Sequence, residues 1–362
     1  MSKITFLKTL DRITGSTLIS LLSFYKKKNR GSPALLKNIL FIRPGGIGDA
    51  VLLLPVIHEL QSIFPDSGID ILCEKRNADV FSFLKHINQI YLYDRDLELF
   101  KCLKNNYDIV IDTEQWHRLS AVVAYLTKAP IRIGFDTNER GKMFTHKIPY
   151  SHDDYEVYSF FHLLEPLSDI TLDFNIDKPF IDSPISVSDP VLSVCVEDND
   201  INIGIFPGAS VNERKWGGKK FGEVAQRLQE KGYKIIILGS KADRIDAEKI
   251  KTFADASVDL TGKTTLRDIA AILMRCRLLI TADSGIMHIA YAVGTPTVSL
   301  FGAGIEKKWA PRGQKHIVLN KYLQCSPCTK FGYTPGCPRG ILCLQDIGIE
   351  DVLQAADRLL KD

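Results

Sequence analysis

The sequence predicts an α/β protein of two doubly wound, Rossmann-like domains that face a central cleft, with an amphipathic helix in front of them. Two observations predict this fold. After Lys37, short apolar strands alternate with amphipathic helices, which is typical of parallel sheets covered on both faces. The alternation fades between about residues 171 and 200 and then restarts, and 362 residues exceed what one hydrophobic core usually organises.

Each half of the chain has its own series of strands and helices. In the first half we predict strands at Asn38–Arg43, Ile69–Glu74, Gln89–Tyr93, Asp108–Asp112 and Ile131–Phe135, and helices at Asp49–Ile63 and Arg118–Thr127. In the second half we predict strands at Ile201–Phe206, Lys234–Leu238, Leu278–Ala282 and Thr297–Phe301, and helices at Phe221–Lys231, Arg244–Ala254, Leu266–Arg275 and Ile286–Val293. The expected segments are a basic lead (1–37), an acceptor domain (38–185), a donor domain (186–348) and a final helix packing across the domains (349–362).

The charge of the chain is uneven. Residues 1–37 hold eight Lys or Arg and one acid, Asp11, a net +7, so the rest of a chain of net +3 carries 3 − 7 = −4. A basic lead on a mildly acidic body favours an anionic surface such as a membrane, and it argues against nucleic-acid binding by the whole protein. The uncharged run Ile13–Tyr25 is shorter than the roughly 20 residues that cross a bilayer.

The lead segment has the pattern of an amphipathic helix. Its apolar side is predicted to carry Ile4, Leu7, Leu10, Leu18, Leu21, Leu22 and Tyr25. The cations Lys26, Lys27, Lys28 and Arg30 follow it, so the helix is expected to lie in the headgroup layer of a membrane. Because Asp11 interrupts the apolar side, an additional helix packed on the body of the protein is the alternative.

The first predicted strand leads directly into a glycine-rich turn and a helix, with the sequence RPGGIGDAVLLLP. The turn fails the dinucleotide-binding fingerprint, since Val51 stands where Gly or Ala is required. It places Asp49 in the first helical turn, where the helix end favours a carboxylate. The glycines that let a ligand approach this acceptor-side turn are Gly45, Gly46 and Gly48. Asp49 is therefore a candidate base, with a simple N-cap as the alternative.

Two further turns have the character of anion sites. In FPGASVNERKWGGKKFG, the Ser210 hydroxyl and backbone N–H groups are followed by the cations Arg214, Lys215, Lys219 and Lys220. This set suits a diphosphate, although a solvated basic loop has the same composition. In LLITADSG and the helix after it, backbone N–H groups of a helix start would face a phosphate, and His288 lies one turn in. A structural histidine is the alternative for His288.

Five motifs occur in order along the chain: RPGGIGDAVLLLP, PGASVNERKW, LGSKADR, DLTGKTTLRD and DSGIMHIAYAVGTPTVSLFG. Together they resemble glycosyltransferase family 9, the ADP-heptose lipopolysaccharide heptosyltransferases, over about residues 38 to 360. The resemblance implies a GT-B fold and an inverting, metal-independent transfer. It also implies an ADP-sugar as co-substrate, held mainly by the second domain, and no cofactor required for catalysis.

The resemblance implies roles for individual residues. Asp49 matches the family's proposed general base, Asp243 matches the acidic residue on the donor ribose, and the adenine is expected near Leu260 to Lys263, which includes Gly262. The positions that match contacts to the diphosphate and the sugar are Ser210, Arg214, Asp283, Ser284, Gly285, Ile286 and His288. The family usually has Lys and then a basic residue where this chain has Arg214 and Lys215, so which of the two neutralises the diphosphate stays open.

Four of the eight cysteines cluster late in the chain, at Cys325, Cys328, Cys337 and Cys343. Their spacing permits a structural zinc site. Reduced thiols or disulfides are the alternatives, and the resemblance implies no catalytic metal.

We therefore expect an inverting transferase that moves a heptose or related sugar from an ADP-sugar to a lipopolysaccharide core or similar glycolipid. It is expected in the cytoplasm, peripheral to the inner face of the cytoplasmic membrane. Expected acceptor contacts around Asp49 are Arg43, His117, Arg118 and Arg140. The alternatives are a glycan or nucleotide-sugar binding protein without turnover, and a GT-B sugar-nucleotide epimerase.

Overall fold

The computed structural model describes residues 3–24, 36–95, 97–167, 174–181 and 201–361, and for residues 3–8 it describes the backbone only. Contacts divide the chain into two compact units, Met1–Phe174 and Asn175–Asp362. The expected limit between residues 185 and 186 lies outside the described residues, as do the four cations that follow the first helix.

The first unit is a parallel sheet with helices. Its helices are α1 (Lys3–Phe24), α2 (Ile47–Ile63), α3 (Glu98–Lys104), α4 (Arg118–Leu126) and α5 (Glu156–His162), with 3₁₀ turns at Ala78–Phe83 and Arg140–Met143. Its strands are β1 (Asn38–Arg43), β2 (Gly68–Cys73), β3 (Ile87–Leu92), β4 (Ile109–Asp112), β5 (Ile131–Phe135) and β6 (His146–Ile148). The strand order is β3-β2-β1-β4-β5-β6, and in the register of the central pair Ile39 lies opposite Ile109.

The second unit repeats this plan. Its helices are α6 (Gly218–Glu230), α7 (Arg244–Phe253), α8 (Leu266–Leu273), α9 (Gly285–Ala292), α10 (Glu306–Trp309), α11 (Leu342–Gln345) and α12 (Ile349–Leu360), with 3₁₀ turns at Asn212–Arg214 and Lys241–Asp243. Its strands are β7 (Asn202–Phe206), β8 (Lys234–Ile237), β9 (Val258–Asp259), β10 (Cys276–Ala282), β11 (Thr297–Leu300) and β12 (His316–Leu319). The order β12-β11-β10-β7-β8-β9 is again fully parallel.

The strands with long apolar runs were predicted well, and the short edge strands were not. β1 and β5 have the predicted bounds, whereas α6 begins at Gly218, three residues before its predicted start. The sequence analysis missed β6, β9 and β12, which lie at the outer edges of the two sheets. An edge strand of two to four residues carries too few buried positions to stand out as a periodic pattern.

Strand order explains where a ligand would bind in each unit. In the first sheet the connection reverses direction between β1 and β4, and in the second it reverses between β7 and β10. Open parallel sheets bind ligands beyond the carboxyl ends of the strands at such a reversal. The glycine-rich turn follows β1, and the other two motifs follow β7 and β10, so all three lie at these positions.

Helix α1 packs on the body of the first unit, which confirms the alternative interpretation for its inner side. Ile19 is fully buried, and Leu18 and Leu22 pack against the same apolar cluster. Asp11 is buried, and its carboxylate is compensated by the Leu119 N–H at the start of α4, which it accepts at 2.7 Å. Helix starts have N–H groups without intrahelical acceptors, so the acid that interrupts the apolar pattern stabilises a neighbouring helix.

The final helix α12 is part of the second unit's core. Val352, Leu353 and Ala356 are buried with the apolar side chains of the sheet and of α6. Trp216 packs there as well, with its indole N–H donating to the carbonyl of Ile347 at 3.2 Å, so its role is in the packing of the core. Within the described residues, no helix combines the length and the apolar character needed to cross a membrane.

Candidate functional site

The glycine-rich turn after β1 is shaped around a buried arginine. Gly45 has φ +110°, a conformation that favours glycine, and a Cβ at this position would approach Nη2 of Arg43 to 2.9 Å. Its N–H donates to Oε1 of Glu74 at 3.0 Å. Gly46 is the N-cap of α2, and Gly48 lies in the first helical turn. A larger residue at Gly45 would therefore displace the guanidinium of Arg43.

Asp49 is the third residue of α2 and does not cap the helix. The N-cap position belongs to Gly46, and no side-chain cap hydrogen bond is present, so the interpretation of Asp49 as a simple N-cap is wrong. The Asp49 carboxylate lies 3.6 Å from Nη2 of Arg43, and its side chain is 25% exposed. This carboxylate is therefore open on one side and faces a fixed positive charge on the other.

Arg43 is the centre of a buried polar network. Its Nη1 donates to the Thr113 carbonyl at 2.8 Å and its Nε to the Pro44 carbonyl at 2.6 Å. Burial would lower the pKa of Arg43, but the charges of Asp49 and Glu114 outweigh it and raise the pKa. The guanidinium therefore stays charged, and it is held by backbone carbonyls in a single position.

Glu114 also lies close to the Arg43 guanidinium, with Oε2 3.9 Å from Nη2. It accepts the backbone N–H groups of Gln115, Trp116 and His117 at 3.1, 3.0 and 3.2 Å. Burial would raise its pKa, but His117, Arg43 and Arg140 together with the Trp116 N–H lower it. The sequence analysis did not identify Glu114, although an acidic residue just after β4 could have suggested it.

Two of the four expected acceptor contacts are not available at the surface. Arg140 is fully buried, with Nη2 2.8 Å from Oδ2 of Asp112, and Arg43 is only 1% exposed. Both predictions as acceptor contacts are wrong, because each guanidinium is needed to neutralise a buried acid. His117 and Arg118 are partly exposed, at 33% and 19% of their side chains.

In the second unit, the motifs after β7 and β10 meet through an ion pair. Arg214 Nη1 lies 3.0 Å from Oδ2 of Asp283, and both side chains are largely buried. Arg214 Nε and His288 Nδ1 are buried without a hydrogen-bond partner among the described residues, whereas Asp283 Oδ2 is held by the charge of Arg214. Buried polar atoms are normally satisfied, so two such atoms at one cluster indicate a place for a polar ligand.

The start of α9 supplies backbone donors beside this cluster. Ser284 is the N-cap, and its hydroxyl accepts the Met287 N–H at 3.3 Å. The serine hydroxyl therefore caps its own helix, and its contact with a phosphate stays a prediction. Helix geometry leaves the first-turn N–H groups of Gly285 and Ile286 without an intrahelical acceptor. These two backbone groups are therefore candidate donors to an anionic ligand.

The structure separates the two cations between which the sequence could not decide. Lys215 Nζ lies 3.7 Å from Oδ2 of Asp246 on α7, whereas Arg214 is paired with Asp283. Ser210 is exposed at the tip of the same loop. Of the two cations, Arg214 is the one held beside the α9 helix start.

A second group of predicted residues gathers at the ends of β8 and β9. Asp243 accepts the N–H and the hydroxyl of Ser240, at 2.9 and 2.7 Å. A Cβ at Gly208 would lie 2.5 Å from Oδ1 of Asp243, so the glycine of the β7 loop makes room for this carboxylate. Leu260 is buried, and Gly262 donates its N–H to the Gly239 carbonyl at 2.8 Å.

The cysteine-rich segment contributes one contact that no sequence pattern indicated. Thr329 is buried, its N–H donates to the Ala303 carbonyl at 2.9 Å, and its hydroxyl accepts from Arg214 Nη2 at 3.4 Å. Cys325, Cys328, Cys337 and Cys343 are free thiols. Across the part of the chain that the structure describes, no group of three or more His, Cys, Asp or Glu is arranged to hold a metal ion.

His288 is expected to make the stability of the protein depend on pH. Burial lowers its pKa to about 4, Asp283 opposes this, and Arg214 adds to it. An unfolded histidine has a pKa near about 6.5, so between these values the unfolded chain binds one more proton and stability falls as the pH falls. From pH 7 to pH 5 this residue should remove roughly 2 kcal/mol of the free energy of unfolding.

Urea unfolding at the two pH values measures this effect. His288→Gln should lose roughly 2 kcal/mol less than the wild type on acidification. The exposed His146→Gln serves as the matched control and should follow the wild type. Equal losses in wild type and His288→Gln would show that His288 is not held neutral by burial.

A comparison with protein families identifies the family of the chain. A model of glycosyltransferase family 9 (heptosyltransferase) matches residues 97–335, well over half of the 362 residues. The chain belongs to glycosyltransferase family 9. The prediction from the five ordered motifs is thereby confirmed, and the protein is a glycosyltransferase of the heptosyltransferase family.

Individual relatives and solved structures support the assignment of this chain to family 9. Lipopolysaccharide heptosyltransferase 3 of Escherichia coli K12 is 29% identical over 343 residues, which cover 87% of this chain and 96% of the relative. The glycosyltransferase family 9 structure from Veillonella parvula DSM 2008 has a TM-score of 0.72 at 23% identity and covers 92% of this chain and 99% of its own. The E. coli ADP-heptose lps heptosyltransferase II structure has a TM-score of 0.71 at 22% identity, with coverage of 90% and 98%. The predicted GT-B class of two Rossmann-like units is confirmed.

Proposed function

We propose that this family 9 enzyme transfers a heptose, or a related sugar, from an ADP-sugar to a lipopolysaccharide core or similar glycolipid. The observation that carries the proposal is the cluster of Arg214, Asp283 and His288 at the start of α9, in which Arg214 Nε and His288 Nδ1 are buried with no hydrogen-bond partner in the described part of the chain. A charged guanidinium and free helix-start N–H groups suit a diphosphate. The E. coli relative whose fold the chain shares is described as an ADP-heptose enzyme.

The proposed donor site extends from the diphosphate to the adenosine. Gly285 and Ile286 donate backbone N–H groups to the phosphates, and Arg214 supplies positive charge. The exposed hydroxyl of Ser210 lies on the same loop as Arg214. Asp243 has one oxygen bonded to Ser240, so its other oxygen faces Gly208 and serves the ribose hydroxyls. Leu260 and Gly262 border the adenine.

The proposed reaction is a single displacement. The Asp49 carboxylate takes the proton of an acceptor hydroxyl as its oxygen bonds to the anomeric carbon of the sugar. The bond from that carbon to the diphosphate oxygen breaks, ADP leaves with the electron pair, and the anomeric configuration inverts. Arg214 and the α9 helix start stabilise the charge that develops on ADP, without a divalent ion.

Arg43 acts in this scheme as a positioning residue. Its Nη2 lies 3.6 Å from Oδ2 of Asp49, and the guanidinium is itself held by Thr113, Pro44 and Glu114. Because the acceptor is a glycolipid, we place the enzyme in the cytoplasm at the inner face of the cytoplasmic membrane. His117 and Arg118 are the partly exposed side chains that remain for acceptor contacts.

A transfer assay tests the proposal. ADP-, UDP- and GDP-linked sugars are compared by thermal shift, and the stabilising donor is then incubated with lipid A core fragments in buffer containing a chelator. We expect an ADP-sugar to stabilise the protein most and the sugar to appear on the core fragment with inverted configuration. Hydrolysis or isomerisation of the donor without an acceptor would instead favour an epimerase, and binding without turnover would favour a binding protein.

Substitution of Arg214 is expected to weaken the binding of the donor, and substitution of Lys215 is expected to leave it unchanged. Arg214→Ala should weaken ADP binding by about 10- to 100-fold, since hydrogen bonds to charged groups contribute about 1.5–3 kcal/mol. Arg214→Lys keeps the charge and should recover part of the loss. Calorimetric titration with ADP measures the affinity, and thermal unfolding checks that Asp283, left without its partner, has not unfolded the protein. Lys215→Ala is the matched control, and an equal loss in that variant would remove Arg214 from its assigned role.

A further inference from the structure

The guanidinium of Arg214 is held by two residues from distant parts of the second unit. Its Nη1 lies 3.0 Å from Oδ2 of Asp283, and its Nη2 donates to the hydroxyl of Thr329 at 3.4 Å. Thr329 belongs to the cysteine-rich segment, which comprises residues 325–343. Nε of Arg214 is buried without a hydrogen-bond partner among the described residues. Because the two contacts are made at different terminal nitrogens, they fix the plane of the guanidinium and leave Nε for a polar ligand.

The backbone on either side of Thr329 is anchored to the loop after β11. Thr329 is 1% exposed, and its N–H donates to the Ala303 carbonyl at 2.9 Å. The N–H of Cys328 donates to the same carbonyl at 3.1 Å, and the Ser326 hydroxyl donates to the carbonyl of Gly302. The position of the Thr329 hydroxyl is therefore set by the backbone of this loop.

The same loop also limits the position of Asp283. A Cβ at Gly304 would lie 2.0 Å from Oδ2 of Asp283, which is shorter than any tolerated contact, so only glycine leaves room for this carboxylate. The loop after β11 thus admits Asp283 at Gly304 and holds Thr329 at Ala303. One short stretch of backbone therefore sets the two partners of Arg214 relative to each other.

The hydroxyl of Thr329 has a defined hydrogen-bond direction. A guanidinium has only donors, so the Thr329 oxygen accepts from Arg214 and its hydrogen is directed elsewhere. Oγ1 of Thr334 lies 2.8 Å from Oγ1 of Thr329 and can accept that hydrogen. Paired backbone hydrogen bonds between Lys330 and Tyr333 return the chain toward Thr329 and bring Thr334 within reach. The acceptor function of the Thr329 hydroxyl is therefore available to Arg214.

Loss of the Thr329 hydroxyl would release one end of the guanidinium. Arginine and carboxylate groups favour a bidentate pair, in which two N–H groups face the two oxygens. Without Thr329, Nη2 of Arg214 could turn to Asp283 and form such a pair. The pair would commit both terminal nitrogens to Asp283 and leave the guanidinium less able to bind an anion.

We propose that Thr329 is a positioning residue of the donor site, which holds Arg214 in the orientation that receives the diphosphate of the sugar donor. The cysteine-rich segment is then part of the donor site, although Thr329 lies 115 positions after Arg214. The proposal rests on the proposed function, because that function assigns the diphosphate to Arg214.

Calorimetric titration of the full-length protein with ADP tests this role. Thr329→Val keeps the shape of the side chain and removes the hydroxyl, so it should weaken ADP binding about 3- to 10-fold. Thr329→Ser restores the hydroxyl and should bind ADP within about twofold of wild type. The matched control is Thr295→Val, because Thr295 is also buried and its hydroxyl donates to the Leu273 carbonyl at 2.7 Å. The control should keep wild-type ADP affinity.

A double-mutant cycle with Arg214→Ala separates positioning from a general loss of packing. If Thr329 acts through Arg214, Thr329→Val should change ADP affinity by less than about twofold once the arginine is absent. Wild-type affinity in Thr329→Val would overturn the proposal, as would a loss that is undiminished in the Arg214→Ala background. Equal loss in Thr295→Val would also overturn it, since any buried hydroxyl would then have the same effect.

Urea unfolding without ligand separates this proposal from the proposed function. The wild type, Thr329→Val, Arg214→Ala and the double variant are compared, and the midpoint shifts of the single variants should not add, because both remove the same contact. If the wild type binds no nucleoside diphosphate while the shifts are non-additive, the proposed function fails but Thr329 still positions Arg214. If Arg214→Ala weakens ADP binding and Thr329→Val does not, the proposed function stands and Thr329 has no part in it.

Discussion

Asp49→Asn is expected to lower kcat by about 10²- to 10⁴-fold, the usual contribution of a general base. The variant keeps the shape of the side chain but removes the proton acceptor. ADP binding should be nearly unchanged, because Asp49 belongs to the first unit and the residues assigned to ADP belong to the second. Initial rates at saturating donor and acceptor, with ADP affinity measured separately, check both parts.

The control for this variant is Asp66→Asn, which changes an exposed carboxylate in the loop after the same helix. It should leave kcat at the wild-type value. Turnover of Asp49→Asn within a few-fold of wild type would exclude Asp49 as the base. A loss of ADP affinity as large as the loss of kcat would mean that the substitution disturbs the fold and not the proton transfer alone.

Arg140→Ala is expected to destabilise the protein by about 3–5 kcal/mol, which is typical when one partner of a buried ion pair is removed. Arg140 and Asp112 are both 0% exposed and lie 2.8 Å apart, so the variant leaves a buried carboxylate without its charge partner. Burial already raises the pKa of Asp112 and Arg140 opposes it, so without the arginine the carboxylate loses its main compensation. Urea unfolding of the wild type and the variant measures the difference.

The matched control for this prediction is Arg227→Ala. Arg227 pairs with Glu350 at 3.2 Å, but the two side chains are 50% and 65% exposed. An exposed pair contributes about 0–1 kcal/mol, so this variant should be close to wild type. Adding Asp112→Asn to Arg140→Ala should restore part of the stability, because the buried charge is removed. Equal losses in Arg140→Ala and Arg227→Ala would contradict the assigned role of the buried pair.

Part of the candidate site could be predicted from the sequence. The sequence placed Asp49 in the first turn of a helix and Asp283 to His288 at a strand end, since a glycine-rich turn between an apolar run and a helix is a local signal. The sequence could not show that Gly46 is the N-cap of α2, that the Ser284 hydroxyl caps α9, or that Lys215 lies beside Asp246. Each of these depends on which partner lies within about 3 to 4 Å of a side chain.

The sequence by itself determined the two α/β repeats, the order of the motifs along the strands and the family, because apolar periodicity and turn residues act over a few positions. Only the tertiary structure decided that Arg43 and Arg140 are buried with acids and that Asp11 stabilises α4. It also decided that the exposed side of α1 carries Ile13, Leu21 and Phe24. These features join residues up to 108 positions apart, such as Asp11 and Leu119. Burial and pairing at such separations arise when distant segments pack together, and no local pattern records them.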